Sequence, residues 1–160
     1  MLLELLDSGA ASEYRFCFFV SENDIKDNAG LIRKISAGGH AIGIWLSDGT
    51  YAEYQKTSGL LFEAAKIKTI LVSADIDAEA ALGMAREQGL IFWRTSQSIL
   101  YDDTLTMDAI IEMLPLVGGE RRNLISPCSE FTALMLSGIL SYLREYEYNL
   151  TSITETVTPR

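Results

Sequence analysis

Carboxylates and isolated aromatics are the side chains of this chain with the most chemistry to offer. Asp102 and Asp103 are adjacent, Asp75 and Asp77 are separated by one residue, and Asp48 follows a strand-like run in SDGT. Two carboxyls facing across a cleft could divide the acid and base work of glycoside hydrolysis, although adjacency along the chain does not place them so. Asp77 reads more readily as a helix cap, and Asp102-Asp103 as a solvated turn. Other chemistries lack parts. His40 is the only histidine, so no His-rich zinc site can be assembled. A Ser/His/Asp set would need a nucleophile beside it, and no Gly-x-Ser-x-Gly elbow is present. AGGH leads into a strand and GGER follows a helix, the reverse of the order in a phosphate-cradling loop. Cys17, inside RFCFFV, and Cys128, in a loop, form neither a disulfide framework nor a metal spacing, and Cys17 reads as packing.

The elements that must position these residues alternate. Strand-length apolar runs recur at Phe16 to Val20, Ala41 to Leu46, Lys68 to Val72, Leu90 to Trp93, Asn123 to Ser126 and Asn149 to Ile153. Segments of helical spacing separate them, which predicts parallel strands with crossover helices. Asn28 suits an N-cap, with Leu31, Ile32 and Ile35 on one face, Arg33 and Lys34 pointing away and Gly38 at the C-terminal cap. Asp77 opens an alanine-rich helix that Gly89 closes. Thr106 precedes Met107, Ile110, Ile111 and Leu114, with Pro115 at the end. Phe131, Leu134, Gly138, Ile139, Tyr142 and Tyr146 line one side of the last helix. His40 precedes its strand, where a capping or packing imidazole is the plain reading. The architecture expected is α/β, an incomplete or distorted (β/α) barrel of about six parallel strands with crossover helices, in one domain over residues 1–160.

Charge and hydropathy narrow the partners. A net charge of -9, from 22 acidic and 13 basic residues, with no basic cluster beyond Arg121-Arg122, opposes nucleic-acid binding. No apolar run reaches the roughly 18 residues of a membrane span, and MLLELLDSGAASEYR lacks the flanks of a signal peptide. The chain as written therefore reads as cytoplasmic, and as extracytoplasmic if an upstream segment has been trimmed.

From about residue 2 onward the order of segments resembles the polysaccharide deacetylase family, the chitooligosaccharide-deacetylase homology domain. The resemblance rests on LLELLDSG, CFFVSENDI, NAGLIRKISAGGHAIG, EYQKTSGLLFEAAKIKTILVS, AREQGLIFW and TALMLSGILSYLREYEYNLTSITETVTP. It implies a distorted (β/α) barrel and metal-dependent removal of an acetyl group from a glycan. That chemistry needs a cation to polarise the carbonyl, a carboxylate base and an acid for the leaving amine. The residues that would supply them are replaced. The family's Thr-Phe-Asp-Asp-Gly strand would lie ahead of LLELLDSG, where this sequence begins. Its His-x-x-x-His pair corresponds to Trp45 and Gly49, its Arg-x-Pro segment to Ser73, Ala74 and Asp75, and its Leu-His acid to Pro127.

The reading is thus a noncatalytic deacetylase-like domain with no catalytic residue, metal or cofactor assigned. Trp45, Asp48, Asp75, Trp93, Arg94, Asp102, Ser126, Cys128 and Glu130 are expected around a degenerate pocket at the strands' C-terminal ends. Indoles among carboxylates can stack on sugar rings and bond hydroxyls, so a saccharide is one candidate partner, while tryptophans plugging a vestigial pocket is the blander reading and the favoured one for Trp45. Two further readings stand beside it. One is a hydrolase with a displaced carboxylate set of Asp48, Asp75 and Asp102 around a cation. The other is an interaction module that forms a homodimer through exposed barrel edges.

Overall fold

Ser21 decides where the first strand stops. In the computed structural model, which describes residues 12–74, 78–94, 97–114 and 123–156, CFFV forms β1 (Cys17–Val20) and Ser21 caps the next element. Its hydroxyl accepts from the Asp24 amide at 3.3 Å, while the Asp24 carboxylate accepts from the Ser21 amide at 2.8 Å. This reciprocal box satisfies two orphan donors and starts α1 (Glu22–Ala37). The helix therefore begins ahead of Asn28, the expected cap. Asn28 instead lies inside it as a kink, with φ -131° and ψ 25°. Ile25, Ile32 and Ile35 are buried, but Leu31 is 39% exposed and does not share their face. Past Gly38, Gly39 takes φ 83° and the His40 amide returns to the Ile35 carbonyl at 3.3 Å, closing the helix.

The chain forms two compact units, Arg15–Arg94 with Ser152–Arg160, and Met1–Tyr14 with Thr95–Thr151. In the first, β1, β2 (Ala41–Leu46), β3 (Leu71–Ala74) and β4 (Ile91–Phe92) form a parallel sheet in sequence order. Between them run α1, α2 (Tyr51–Ala65) and α3 (Ala78–Glu87). The strands are apolar nearly throughout, as parallel strands covered by crossover helices must be. Ile44, Leu46, Leu71 and Val72 are all but fully buried. Phe19 pairs with Gly43, and a Cβ on that glycine would stand 2.5 Å from the ring, so the aromatic lies directly over the backbone. Ala81 and Ala85 are the buried positions of α3.

β3 begins at Leu71, later than the expected Lys68. The Thr69 carbonyl accepts from the Tyr54 hydroxyl at 2.8 Å and the Ile70 amide donates to Glu155 at 3.0 Å, so side chains claim groups there that a ladder would use. The strand expected at Asn149–Ile153 is not formed, and residues 149–154 have no regular structure. Ser152 and Glu155 instead fasten that stretch through their side chains, to the Arg15 carbonyl and the Ile70 amide.

In the second unit, β5 (Gln97–Ser98) pairs in parallel with β6 (Leu124–Ile125). Two helices, α4 (Met107–Met113) and α5 (Glu130–Glu145), follow β5 and β6 respectively. Thr106 caps α4 as expected, accepting from the Ala109 amide at 3.3 Å. Ile99, Leu100, Ile110, Leu114, Ile139 and Leu143 form the buried cluster. The buried face of α5 runs through Thr132, Ala133, Ile139, Leu140 and Leu143. It is rotated from the expected stripe, leaving Leu134 73% and Tyr146 59% exposed. Asp75, Asp77 and Pro115 lie outside the described residues, as does the expected N-terminal helix.

Candidate functional site

Three neighbouring strand ends bring Trp45, Ser73 and Trp93 side by side. Trp45 stands opposite Ser73 in the β2–β3 register. The Trp93 amide donates to the Val72 carbonyl at 2.9 Å, and the Ser73 hydroxyl donates to the Trp93 carbonyl at 2.7 Å. Ser73 is thereby fixed as a strand-to-strand tie rather than left as a nucleophile. Trp45 is half-buried. Trp93 is buried, and its indole N–H finds no acceptor among the described residues.

The loop after β2 is closed on itself. Thr50 caps α2, its hydroxyl accepting from the Glu53 amide at 3.2 Å. Glu53 then reaches back, one carboxylate oxygen accepting from the Ser47 amide at 2.7 Å and the other from the Asp48 amide at 2.9 Å. Asp48 accepts from both the amide and the hydroxyl of Thr50, at 2.8 and 2.7 Å. The Thr50 hydroxyl, then its amide, holds the Asp48 carboxyl below its ordinary value. Each carboxylate is thus a backbone ligand at a helix start, where negative charge is favoured. Glu53 is absent from the expected pocket, although Thr50-x-x-Glu53 is a capping-box spacing.

The other expected residues have places of their own. Arg94 pairs with Glu79 of α3. Asp102, Cys128 and Glu130 belong to the second unit. Asp102 closes a turn by accepting from the Thr104 hydroxyl at 2.6 Å and amide at 3.0 Å, which lower its pKa, the hydroxyl most. Glu130 begins α5, and Cys128 is exposed just ahead of it. Pro127 and Ser126 follow β6, and the Pro127 carbonyl accepts from the Thr132 hydroxyl at 2.6 Å. At the opposite ends of the strands, His40 is 6% exposed, its Nδ1 accepting from the Phe16 amide at 3.2 Å between the Phe16 and Phe18 rings. It is a packing imidazole. Burial alone pushes the Cys17 thiol up to about 12, an inert position.

No family model matches the chain, and no curated protein matches it. Solved structures do. The polysaccharide deacetylase Bc1974 from Bacillus cereus superposes with a TM-score of 0.76 at 16% identity, over 99% of this chain and 88% of that one. The chain shares the polysaccharide deacetylase fold. Wild-type BA3943 from Bacillus anthracis, described as a CE4 family pseudoenzyme, gives a TM-score of 0.77 at 16% identity, over 96% of this chain but only 58% of its own length. The catalytic domain of a peptidoglycan N-acetylglucosamine deacetylase from Eubacterium rectale gives 0.72 at 13%, over 99% and 85%.

A deacetylase-like fold raises the question of a divalent cation, and the described residues do not fit one. Among them no three His, Cys, Asp or Glu side chains gather closely enough to hold an ion. Position 49, which the resemblance matches to the second histidine of a metal-binding pair, is a glycine with φ 70° whose Cβ would lie 3.2 Å from the Ala81 Cβ. An L-residue is strained there whatever its side chain.

Proposed function

We propose that the chain is a noncatalytic polysaccharide-deacetylase-like domain whose strand ends retain a saccharide-contacting surface. The observation that carries this reading is the Ser47–Glu53 cap. The carboxylates nearest the end of β2 are tied to backbone amides, and among the described residues no three His, Cys, Asp or Glu side chains gather around them. The likeness to a protein described as a pseudoenzyme supports it, as does the glycan chemistry named for the other neighbours.

Trp45 is the residue assigned to the sugar, through its half-buried indole. Asp48 and Arg94 lie next to these strand ends in sequence, and Asp75, Asp102, Cys128 and Glu130 are retained as outer candidates. No helix among the described residues is long and apolar enough to cross a membrane.

Titration with chitooligosaccharides, followed by tryptophan fluorescence, tests the binding half. A saturable change that is lost in Trp45→Ala, without release of acetate, is the expected result. No change at any oligosaccharide length would remove the saccharide, and released acetate would remove the word noncatalytic.

A further inference from the structure

The opposite ends of the strands carry a recess of their own, about 480 Å³ in volume, between α2 and the residues leading into β3. That volume suits a small ligand. Its apolar walls are Phe62, 42% exposed, and Ile70, 37% exposed, with Tyr54 beside them. The Lys68 ammonium stands 5.0 Å from the Phe62 ring centre and that of Lys66 5.2 Å, concentrating positive charge at one rim of an acidic protein. Gly59 leaves the α2 side open, since a Cβ there would meet nothing within 4 Å.

One carboxylate already stands at the wall of the recess. Glu155 lines it, and its carboxylate accepts the Ile70 amide at 3.0 Å. The bond joins residues 85 positions apart, and the stretch that bears it has no regular structure. The only other hydrogen bond holding that stretch to the strand ends, among those described, runs from Ser152 to the Arg15 carbonyl at 3.1 Å. A backbone donor, a nearby ammonium and an apolar wall are thus arranged around a carboxylate that the chain itself supplies.

We infer that this recess is a binding site for a small carboxylic acid carrying an apolar ring, and that Glu155 is its displaceable internal occupant. The ligand's carboxylate would take the Ile70 amide from Glu155 and face Lys68, while its ring packs on Phe62 and Ile70. An exposed ammonium contributes modestly to such a contact, and the apolar wall supplies the remainder. Occupancy by Glu155 reduces the apparent affinity to the intrinsic one multiplied by the fraction of molecules in which the amide is free. The site is independent of the saccharide surface proposed above.

The test is an amide NMR titration of the whole chain with benzoate, reading the Ile70 N–H, with benzamide and acetate as controls for charge and ring. Benzoate should shift the Ile70 amide saturably, and the two controls should do so weakly. Glu155→Ala should bind benzoate about threefold tighter or more, because the internal competitor is gone. Lys68→Ala should weaken binding up to about fivefold. All are surface changes, and the rest of each spectrum reports that the fold is kept. An Ile70 amide that benzoate does not move, a benzamide shift equal to benzoate's, or unchanged affinity in Glu155→Ala would each overturn the inference.

Discussion

The Glu53 carboxylate holds the backbone of Asp48, whose amide donates to it at 2.9 Å, while its second oxygen takes the amide of Ser47 at 2.7 Å. The end of β2 leads into the start of a well-capped helix, whose own carboxylate satisfies the two amides.

Replacing Glu53 with alanine leaves both amides without their acceptor and removes a negative charge from the first turn of α2. A loss of about 1–2 kcal/mol is expected, the scale of a helix cap. Urea unfolding at neutral pH measures it. Thr50→Ala should cost about 1 kcal/mol, and the double variant should cost less than the sum, because both act on one cap. An unfolding midpoint unaltered by Glu53→Ala would contradict the closed loop.

Asp48 links this loop to acid stability. Donation by Thr50 holds its carboxyl below the ordinary 3.8. A group lowered on folding stabilises the protein at pH above its unfolded value, and that stabilisation fades as pH falls through the folded value. Asp102 has the same sign, through Thr104. Asp48→Asn should therefore show its full deficit above about pH 4 and converge with the parent protein in more acid solution. A deficit that grows as pH falls would reverse the sign of this account.

Two glycines in close contacts should respond differently to alanine. At Gly43 a Cβ meets the Phe19 ring at 2.5 Å and the Leu71 Cβ at 3.3 Å, inside a sheet of short strands. Neither neighbour can move far, and a cost of about 1–3 kcal/mol follows. At Gly138 the Cβ meets the Met107 Cε at 2.5 Å, the far end of a flexible side chain. Met107 can swing aside, so the cost should stay below about 1 kcal/mol, partly offset by the better helix propensity of alanine. Thermal unfolding of both variants would show the order, and the reverse order would contradict the packing described.

Much of the fold was legible because some residues act locally. Gly38, Gly39 and the apolar run after them mark β2, and Thr106 marks α4, without help from the rest of the chain. Two of the misreadings have distant causes and one a local cause. Lys68 to Ile70 looks like strand, but Tyr54 and Glu155 claim its backbone from elsewhere in the chain. Asn149–Ile153 has a strand's length, yet side chains fasten it rather than a ladder. Asn28 is a plausible cap that a stronger one, Ser21 with Asp24, forestalls. In the candidate site, Trp45 and Ser73 drew attention only through the resemblance, which sets other residue types at their positions. The role of Glu53 was hidden because its partners are amides, which side-chain chemistry does not reveal.

Restoring histidines should not restore a site. In Trp45→His with Gly49→His, the second change forces a left-handed backbone on a bulky residue beside Ala81. A destabilisation of about 1–3 kcal/mol is expected, without tight zinc binding. Micromolar zinc affinity in that variant would show that the loop adapts more easily than its backbone implies.

The most direct measurement is calorimetric titration of the purified chain with zinc and cobalt, with acetate release from chitooligosaccharides assayed in the same samples. A noncatalytic domain predicts no stoichiometric high-affinity cation and no acetate above the protein-free rate. One equivalent of tightly held metal accompanied by steady acetate production would contradict it.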